Sequence, residues 1–366
     1  YFTAQYHKVK VTLPYYIPLW LGFLGGPSIG TMGAVIRIKD HIDSRKKYFD
    51  IGIAGPLAGF VIAVLVLHYG FTHLPPLDYV FNIHPEYEQW GSDYPMYAYQ
   101  DKDMVGITLG PNLLFWLFEN FVVTDTSLLP HPNEMLHYPY LLAGYLALFF
   151  TALNLLPIGQ LDGGHILYGL IGGKNHKKVS AGLFLVFIFY AGLGVVNPFM
   201  LSDYLLTEVL YFVFLFYSFH KFTPDIKNRL MFATIIFTAQ FATVFIFPQV
   251  EGYSGWLLFA FVLGRFLGVY HPPVLYDEPL DMKRKVLGWV SLGVFVLCFS
   301  PQPFIIEDNY NSDDKSDTPT FLSTVKPSPY FTRMDKPNSI PRASNMLMNS
   351  GDEIKVFDCS PSGSKN

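Results

Sequence analysis

The chain has little charge and almost no cysteine. Only 15% of its 366 residues are charged, against about a quarter in an ordinary soluble domain. The formal net charge of −4 offers no basic surface, so no nucleic-acid partner is predicted. The two cysteines, Cys298 and Cys359, lie far apart in sequence, which excludes a disulfide scaffold and a zinc module built from cysteines.

Apolar residues dominate instead. They make up 51% of the chain, and aromatic residues alone reach 17%. A soluble protein of this length could not cover so much apolar surface with polar side chains. Residues 304–366 are polar and lower this average. The sequence therefore predicts a protein whose body lies in a lipid bilayer.

Seven apolar stretches are long enough to cross a membrane, which takes roughly 20 apolar residues in a helix. An eighth stretch, 104–123, is doubtful because Gly110-Pro111-Asn112 interrupts it. The predicted fold is an all-α polytopic membrane protein with about seven or eight transmembrane helices. The seven clear spans are 51–71, 138–158, 179–201, 203–220, 229–248, 253–270 and 286–303.

The apolar region 11–36 is not predicted to form a helix, because three prolines and several glycines interrupt it. The run from Gly30 to Lys39 favours a short β-hairpin or strand instead. Extended backbone at membrane depth occurs only where protein or a water-filled cavity satisfies its polar groups. We therefore predict a re-entrant β-hairpin near the N-terminus that lines a site.

Loop charges predict the orientation, since cytoplasmic loops carry an excess of Lys and Arg. Loops 37–50 and 171–178 are basic, whereas loop 72–103 holds six acids against Lys102 alone. We expect the basic loops, and the segment around Lys227, in the cytoplasm and loop 72–103 outside. Only one crossing then fits between loop 72–103 and loop 171–178, and we assign it to 138–158. Residues 104–123 would form a half-buried or re-entrant helix on the outside. The polar tail 304–366 should lie outside and be disordered.

One run of residues carries most of the chemical information: Asn154-Leu-Leu-Pro157-Ile-Gly-Gln-Leu-Asp162-Gly163-Gly164-His165. It follows an apolar span, where an ionisable residue is costly and marks a functional site by default. Pro157 and the two glycines predict a broken helix that presents the Asp162 carboxylate to a cavity. The alternative is that Asp162 only caps the next helix.

The longer pattern Asn-x-x-Pro-x-x-x-x-Asp-Gly-Gly-His resembles the signature of the site-2 protease family, zinc metalloproteases that cut within membranes. The segment Ala54-Gly-Pro-Leu-Ala-Gly59 and the Gly-rich hairpin around residues 22–39 resemble further parts of that family. The resemblance implies a Zn²⁺ cofactor with Asp162 as the third ligand. In the family, a His-Glu-x-x-His helix supplies the other two ligands and the general base.

The chain departs from the family at this point, because none of its eleven histidines belongs to a His-Glu-x-x-His motif. The opening residues, up to His7, look like those that follow the motif in the family. We therefore expect a chain truncated just after its catalytic helix turn, with no catalytic residue of its own and the general base upstream of Tyr1. Residues 1–175 would form the protease-like core, 176–303 additional helices, and 304–366 the tail.

The resemblance implies that Asn154 contacts substrate, although a helix-packing hydrogen bond is an equal alternative. The strand near 30–38, including Gly33 and Val35, would bind an extended substrate by backbone hydrogen bonds along its free edge. The alternative is a purely structural strand that closes the cavity. We favour a position at the membrane interface for His165 over one beside the metal site, and we expect His7 at the membrane surface.

The favoured function is an intramembrane zinc metalloendopeptidase that cleaves transmembrane or membrane-proximal segments. Its partners would be a membrane protein substrate and the lipid bilayer, in a multi-pass protein of the bacterial cytoplasmic membrane. Two alternatives stay open. One is an inactive homologue that acts as a membrane scaffold, and the other is a transporter, which would also place an acid beside a broken helix.

Overall fold

The computed structural model describes residues 1–19, 30–36, 39–40, 42–99, 105–199 and 201–308. This part of the chain is mostly helical and belongs to one compact unit, Tyr1–Thr324. Its helices are α1 (Phe2–Tyr6), α2 (Arg45–Thr72), α3 (Asp78–Ile83), α4 (Pro95–Ala98), α5 (Leu113–Phe121), α6 (Pro139–Leu155), α7 (Asp162–Ala191), α8 (Leu201–Ser218), α9 (Ile226–Ile246), α10 (Gly255–Val262) and α11 (Met282–Cys298). Its strands are β1 (Tyr15–Leu19), β2 (Gly30–Val35), β3 (Val105–Leu109) and β4 (Phe304–Asp308).

Every clear span predicted from the sequence overlaps a helix. Among the described residues, α2 and α9 are long and apolar enough to cross a membrane, and the apolar helices Pro139–Leu155, Leu205–Ser218 and Trp256–Leu267 are shorter. The predicted helical class is therefore confirmed, together with small sheets. The number of seven or eight spans stays a prediction.

The predicted N-terminal hairpin is present as an antiparallel pair of β1 and β2. Tyr15 pairs with Val35, and Leu19 pairs with Gly30. The register shifts between Tyr16 and Pro18, and a bulge is one of the few places in a sheet where proline fits. The first strand therefore begins earlier than the predicted hairpin at 22–39. Residues 20–29, which join the strands, lie outside the described residues.

The doubtful span 104–123 is not one helix. Residues 105–109 form β3, the chain then breaks at Gly110-Pro111, and the Asn112 side chain caps α5 by accepting a hydrogen bond from the Phe115 amide at 2.8 Å. β3 pairs along its whole length with β4, so that Val105 faces Asp308 and Leu109 faces Phe304. The prediction of a disordered tail from 304 is therefore wrong for 304–308, and residues 309–366 lie outside the described residues.

The two basic loops are also shorter than predicted. Residues 45–50 of the first loop already belong to α2. Residues 171–178 are helical except at Gly172, where two helical segments of α7 (Asp162–Ala191) meet at a break, and the φ of 76° at this glycine is one that an L-residue rarely adopts. Lys174, Lys177 and Lys178 therefore lie on the helix just after this break.

Two apolar cores hold the helices together. The first combines α2, α5 and α6 with the last helix, since Val294 and Cys298 of α11 are buried beside Phe49 and Leu148. The second is centred on the later half of α7 and on α8, α9 and α10. The last helix therefore packs into the core of the first half of the chain, and the division into a core of residues 1–175 and additional helices 176–303 stays a prediction.

Candidate active site at the start of α7

Asp162 is the first residue of α7 and does not cap it. The residue before the helix is Leu161, and no side chain caps this end, so the interpretation of Asp162 as a helix cap is wrong. The helix dipole favours a carboxylate in the first turn. Among the described residues, the carboxylate has no hydrogen-bond or ion-pair partner. Its oxygens are therefore available to a ligand.

The two glycines after Asp162 allow the chain to fold back on itself. A Cβ atom on Gly163 would lie 1.9 Å from the Leu155 carbonyl oxygen, and one on Gly164 would lie 2.3 Å from the Gly159 carbonyl oxygen. The turn between α6 and α7 therefore rests directly on the first turn of α7. Only glycine permits this backbone contact.

The Gly-Pro segment of α2 faces the same point. A Cβ atom on Gly52 would lie 2.9 Å from the His165 Cβ atom, and one on Gly55 would lie 3.9 Å from an Asp162 carboxylate oxygen. Small residues let helices approach closely, as in packed membrane helices. The structure thus brings together two motifs that are about a hundred residues apart in sequence, Gly55–Gly59 and Asp162–His165.

The beginning of the chain lies beside this junction. The backbone nitrogen of Tyr1 lies near the Asp162 carboxylate. Ala4 of α1 is buried against Ile42 and Tyr48, and Nε2 of His7 donates a 3.0 Å hydrogen bond to the Asp50 carboxylate. His7 is therefore occupied by an acid of α2 in this structure.

Asp50 also binds the last helix. Arg284 of α11 donates two hydrogen bonds of 2.8 Å to the two Asp50 oxygens. Paired bonds of this kind fix both distance and orientation. Asp50 therefore ties α1, α2 and α11 together below the junction.

His165 is a buried, paired histidine, and its position at the membrane interface stays a prediction. Its Nδ1 lies 2.9 Å from Nε2 of His271, whose Nδ1 lies 2.7 Å from the Pro272 carbonyl oxygen. A carbonyl can only accept, so His271 carries its proton on Nδ1, and His165 donates to the other nitrogen. The His271 ring stacks on Tyr168 with centroids 3.9 Å apart. Burial lowers the pKa of His271 to about 4.

Ser180 also fixes the turn before Asp162, through two hydrogen bonds. The Ser180 hydroxyl accepts a 2.8 Å hydrogen bond from the Gly159 amide and donates one of 2.7 Å to the Val269 carbonyl. Ser180 is fully buried. The turn that presents Asp162 is thereby fixed both to α7 and to the segment that carries His271.

The break in α7 has its own partner. Arg45, which is buried, donates from Nε to the Gly169 carbonyl at 3.0 Å and pairs with Asp277 at 3.3 Å. A Cβ atom on Gly172 would lie 3.3 Å from the guanidinium. The arginine therefore satisfies a carbonyl that the bend removes from the helical ladder.

The three residues predicted to contact substrate are Asn154, Gly33 and Val35, and the structure shows only their positions. Asn154 lies in the last turn of α6 and is exposed. Gly33 and Val35 lie in β2, which pairs only with β1 among the described residues and so leaves its other edge open there. A role in binding substrate stays a prediction for all three.

The Asp162 carboxylate is one potential metal ligand, and no two further potential ligands join it in the described part of the chain. The single group of three potential ligands there is His84, Glu134 and His137, which is a different site. A carboxylate without a partner fits one position of a catalytic zinc site, but three protein ligands are needed. The described residues therefore do not complete the centre.

Two residues of this region, His271 and Arg45, were not predicted from the sequence to take part in it. No local signal marks either of them, because their partners His165 and Gly169 lie more than a hundred residues away in sequence.

Comparison with known proteins identifies relatives of the first half of the chain. Residues 1–195 match the profile of peptidase family M50. The sequence is 28% identical over 190 residues to "Probable zinc metalloprotease EGY1, chloroplastic" of Oryza sativa subsp. japonica, covering 52% of this chain and 28% of the relative. It is 26% identical over 179 residues to the EGY2 protein of Oryza sativa subsp. indica, with the same type of name, covering 47% and 26%.

A third relative, EGY1 of Arabidopsis thaliana, is 28% identical over 172 residues, which is 46% of this chain and 26% of that protein. The chain thus spans about a quarter of the length of these relatives. No solved structure matches it significantly. The matched region includes α1, the hairpin, the Gly-Pro segment and Asp162.

Proposed function

Since the chain belongs to peptidase family M50, we propose that it is part of an intramembrane zinc metalloendopeptidase that cleaves transmembrane or membrane-proximal segments. The match covers residues 1–195, and it agrees with the resemblance to site-2 proteases that the Asp162 motif carries. The relatives are named zinc metalloproteases, which supports Zn²⁺ as the cofactor.

The observation that carries this proposal is the meeting of three segments at one point. The Gly55 position lies against the Asp162 carboxylate, and the backbone nitrogen of Tyr1 lies near the same carboxylate. In the family, the segment just before Tyr1 would hold the His-Glu-x-x-His turn. A helix that continued upstream from α1 would therefore deliver its histidines to Asp162.

We assign each residue a limited role. Asp162 is the third metal ligand, and Gly163 and Gly164 hold it at the start of α7. Residues 1–366 contain no His-Glu-x-x-His motif, so we assign no residue of this sequence to the two histidine ligands or to the general base. When bound in such a site, zinc acidifies a water molecule and polarises the scissile carbonyl.

Substrate would bind beside this centre in an extended form. The open edge of β2, with Gly33 and Val35, can pair with an added strand. The exposed Asn154 amide could then hydrogen-bond to the substrate backbone. The substrate would be a membrane protein, and the bilayer the working environment. The bacterial cytoplasmic membrane stays a prediction, since the matched relatives are plant proteins named chloroplastic.

A scaffold without activity is the second candidate. It is favoured by one observation, the lack of a His-Glu-x-x-His motif in the 366 residues. An inactive homologue would keep the packing of α2 against α7 without a complete centre. The sequence of the transcript upstream of the Tyr1 codon decides between the two, since an in-frame His-Glu-x-x-His supports the peptidase and a start codon without it supports the scaffold.

The peptidase is then tested in the full-length gene product by Asp162→Asn. We expect a loss of at least about 100-fold in cleavage of a membrane-tethered reporter, because a carboxylate ligand is removed while the residue volume is kept. The matched control is Asp93→Asn, an exposed acid far along the chain from α7. Equal cleavage by wild type and Asp162→Asn would remove Asp162 from the metal site.

A further inference from the structure

A second group of metal-ligating side chains lies in the segment between α2 and α6. It consists of His84, Glu134 and His137, here called the His–Glu–His cluster. One ligand atom of each residue lies within 4.8 Å of the other two. Nδ1 of His137 is 2.8 Å, and Nε2 of His84 is 3.7 Å, from the same Glu134 oxygen.

Local structure brings two of these ligands together. Glu134 and His137 lie in a 3₁₀-helix, Pro132–His137. Residues i and i+3 eclipse each other in such a helix, so both side chains point to one side. His84 follows α3 and precedes a second 3₁₀-helix, Pro85–Asp93. The cluster therefore joins the beginning and the end of this segment.

The His84 ring is held in the orientation that metal binding requires. Its Nδ1 lies 3.2 Å from a Glu86 oxygen, and its ring stacks on Tyr87 with centroids 4.7 Å apart. Metal-binding histidines typically donate their second ring N–H to a carboxylate in this way. Nε2 faces Glu134 at 3.7 Å, and a neutral ring that donates from Nδ1 to Glu86 offers the Nε2 lone pair to a metal.

Glu134 has an outer partner as well. Its side chain is only 2% exposed, and its second oxygen accepts a hydrogen bond from the Tyr99 hydroxyl. Tyr99 therefore orients the carboxylate toward the two histidines.

We propose that the His–Glu–His cluster binds a divalent transition-metal ion, Zn²⁺ in the first place. Zinc bonds of about 2.0–2.1 Å in a tetrahedral site put neighbouring ligand atoms about 3.3 Å apart, between the two distances found here. Two imidazoles and one carboxylate are a ligand set that zinc accepts. The site needs no residue of the Asp162 centre and is independent of the proposed peptidase.

The bound ion would stabilise the fold as a cross-link between two distant parts of the chain. It connects residues about fifty positions apart, and closing a loop of that length lowers the entropy of the unfolded chain. The partly exposed His137 leaves one side accessible for a water molecule as fourth ligand.

The test measures zinc binding to the purified full chain in detergent. Metal-free wild type, His84→Ala and His137→Ala are dialysed against Zn²⁺, and bound zinc is counted by mass spectrometry. We expect wild type to hold about one equivalent that each variant loses, with affinity reduced by more than about 100-fold, since even the loss of an outer-shell partner costs about 10–100-fold. Asp162→Asn should keep this equivalent, which separates the cluster from the peptidase centre.

Two further measurements protect the result against misfolding. His73→Ala, an exposed histidine near the end of α2, is the matched control and should bind like wild type. Co²⁺ added to wild type should give the visible absorption of a tetrahedral complex, and Glu134→Gln should abolish it without unfolding the chain. Equal zinc content in wild type and in both histidine variants, or no cobalt spectrum in wild type, would mean that the cluster is only an ion-pair network.

Discussion

At the scale of the residue, the packing of Gly163 leads to a sharp prediction. Gly163→Ala places a methyl group on the Leu155 carbonyl oxygen, 1.9 Å away, where only backbone movement can relieve the clash. We expect the melting temperature in detergent to fall by several degrees or the protein to aggregate. The control is Gly182→Ala in the same helix, where nothing lies within 4 Å and alanine favours the helix. Equal melting temperatures would show that the turn is not packed as described.

The buried histidines predict a dependence of stability on pH. Burial lowers the pKa of His271 to about 4, and burial followed by the His271 charge lowers that of His176 to about 4. The unfolded chain, with ordinary values near 6.5, therefore binds more protons between pH 6.5 and pH 4. Stability should fall as the pH falls through this range.

The groups that face His271 are His165, His176, Tyr48 and Tyr168. No carboxylate stands among these ring contacts to stabilise an imidazolium. Melting curves at pH 7 and pH 5 check the expectation, and His271→Gln should reduce the loss. A melting temperature that stays constant from pH 7 to pH 5 would contradict it.

At the scale of the element, Arg45 supports the bend in α7. Arg45→Ala would leave the buried Gly169 carbonyl without its donor, which costs about 1–3 kcal/mol in the free energy of unfolding. Lys46→Ala removes the neighbouring ion pair with Glu278, whose side chains are 39% and 70% exposed, and should cost less than about 1 kcal/mol. Denaturant unfolding of the two variants checks the difference, and a smaller effect for Arg45→Ala than for Lys46→Ala contradicts it.

The helices could be predicted from sequence to a greater extent than the strands. An apolar run of about 20 residues is a local signal, and so the predicted spans coincide with α2, α6, α8, α9 and α11. β3 pairs with β4 across nearly two hundred residues, and neither strand predicts the other. The bend at Gly172 was also misread, because three lysines after a glycine resemble a loop when the arginine that supports the bend is not known.

The candidate site shows the same division. Asp162 and its glycines form a contiguous motif, which the sequence reveals. Its neighbours His165, His271 and Ser180 meet through contacts between distant segments, and the His–Glu–His cluster unites residues some fifty positions apart. No local pattern in the sequence connects His84 with Glu134 and His137.

At the scale of the whole molecule, the orientation can be tested by labelling. The charge pattern predicts that Ser92 lies outside and Lys227 in the cytoplasm, and both positions are exposed. Ser92→Cys and Lys227→Cys, each in a Cys359→Ser background, should react differently with a membrane-impermeant maleimide. We expect labelling of the first in intact cells and of the second only after lysis, while the buried Cys298 stays unlabelled. The reverse pattern would invert the proposed topology.

The place of α11 in the first core has a consequence for biosynthesis. Its residues Val294 and Cys298 fill a space between helices that are made much earlier. A ribosome adds about 5–20 residues each second, so the roughly 140 residues from the end of α6 to the end of α11 take on the order of 10 s. During that interval the faces of α2 and α6 that later pack against α11 lack this neighbour. Lipid or a chaperone has to cover them until α11 has been synthesised.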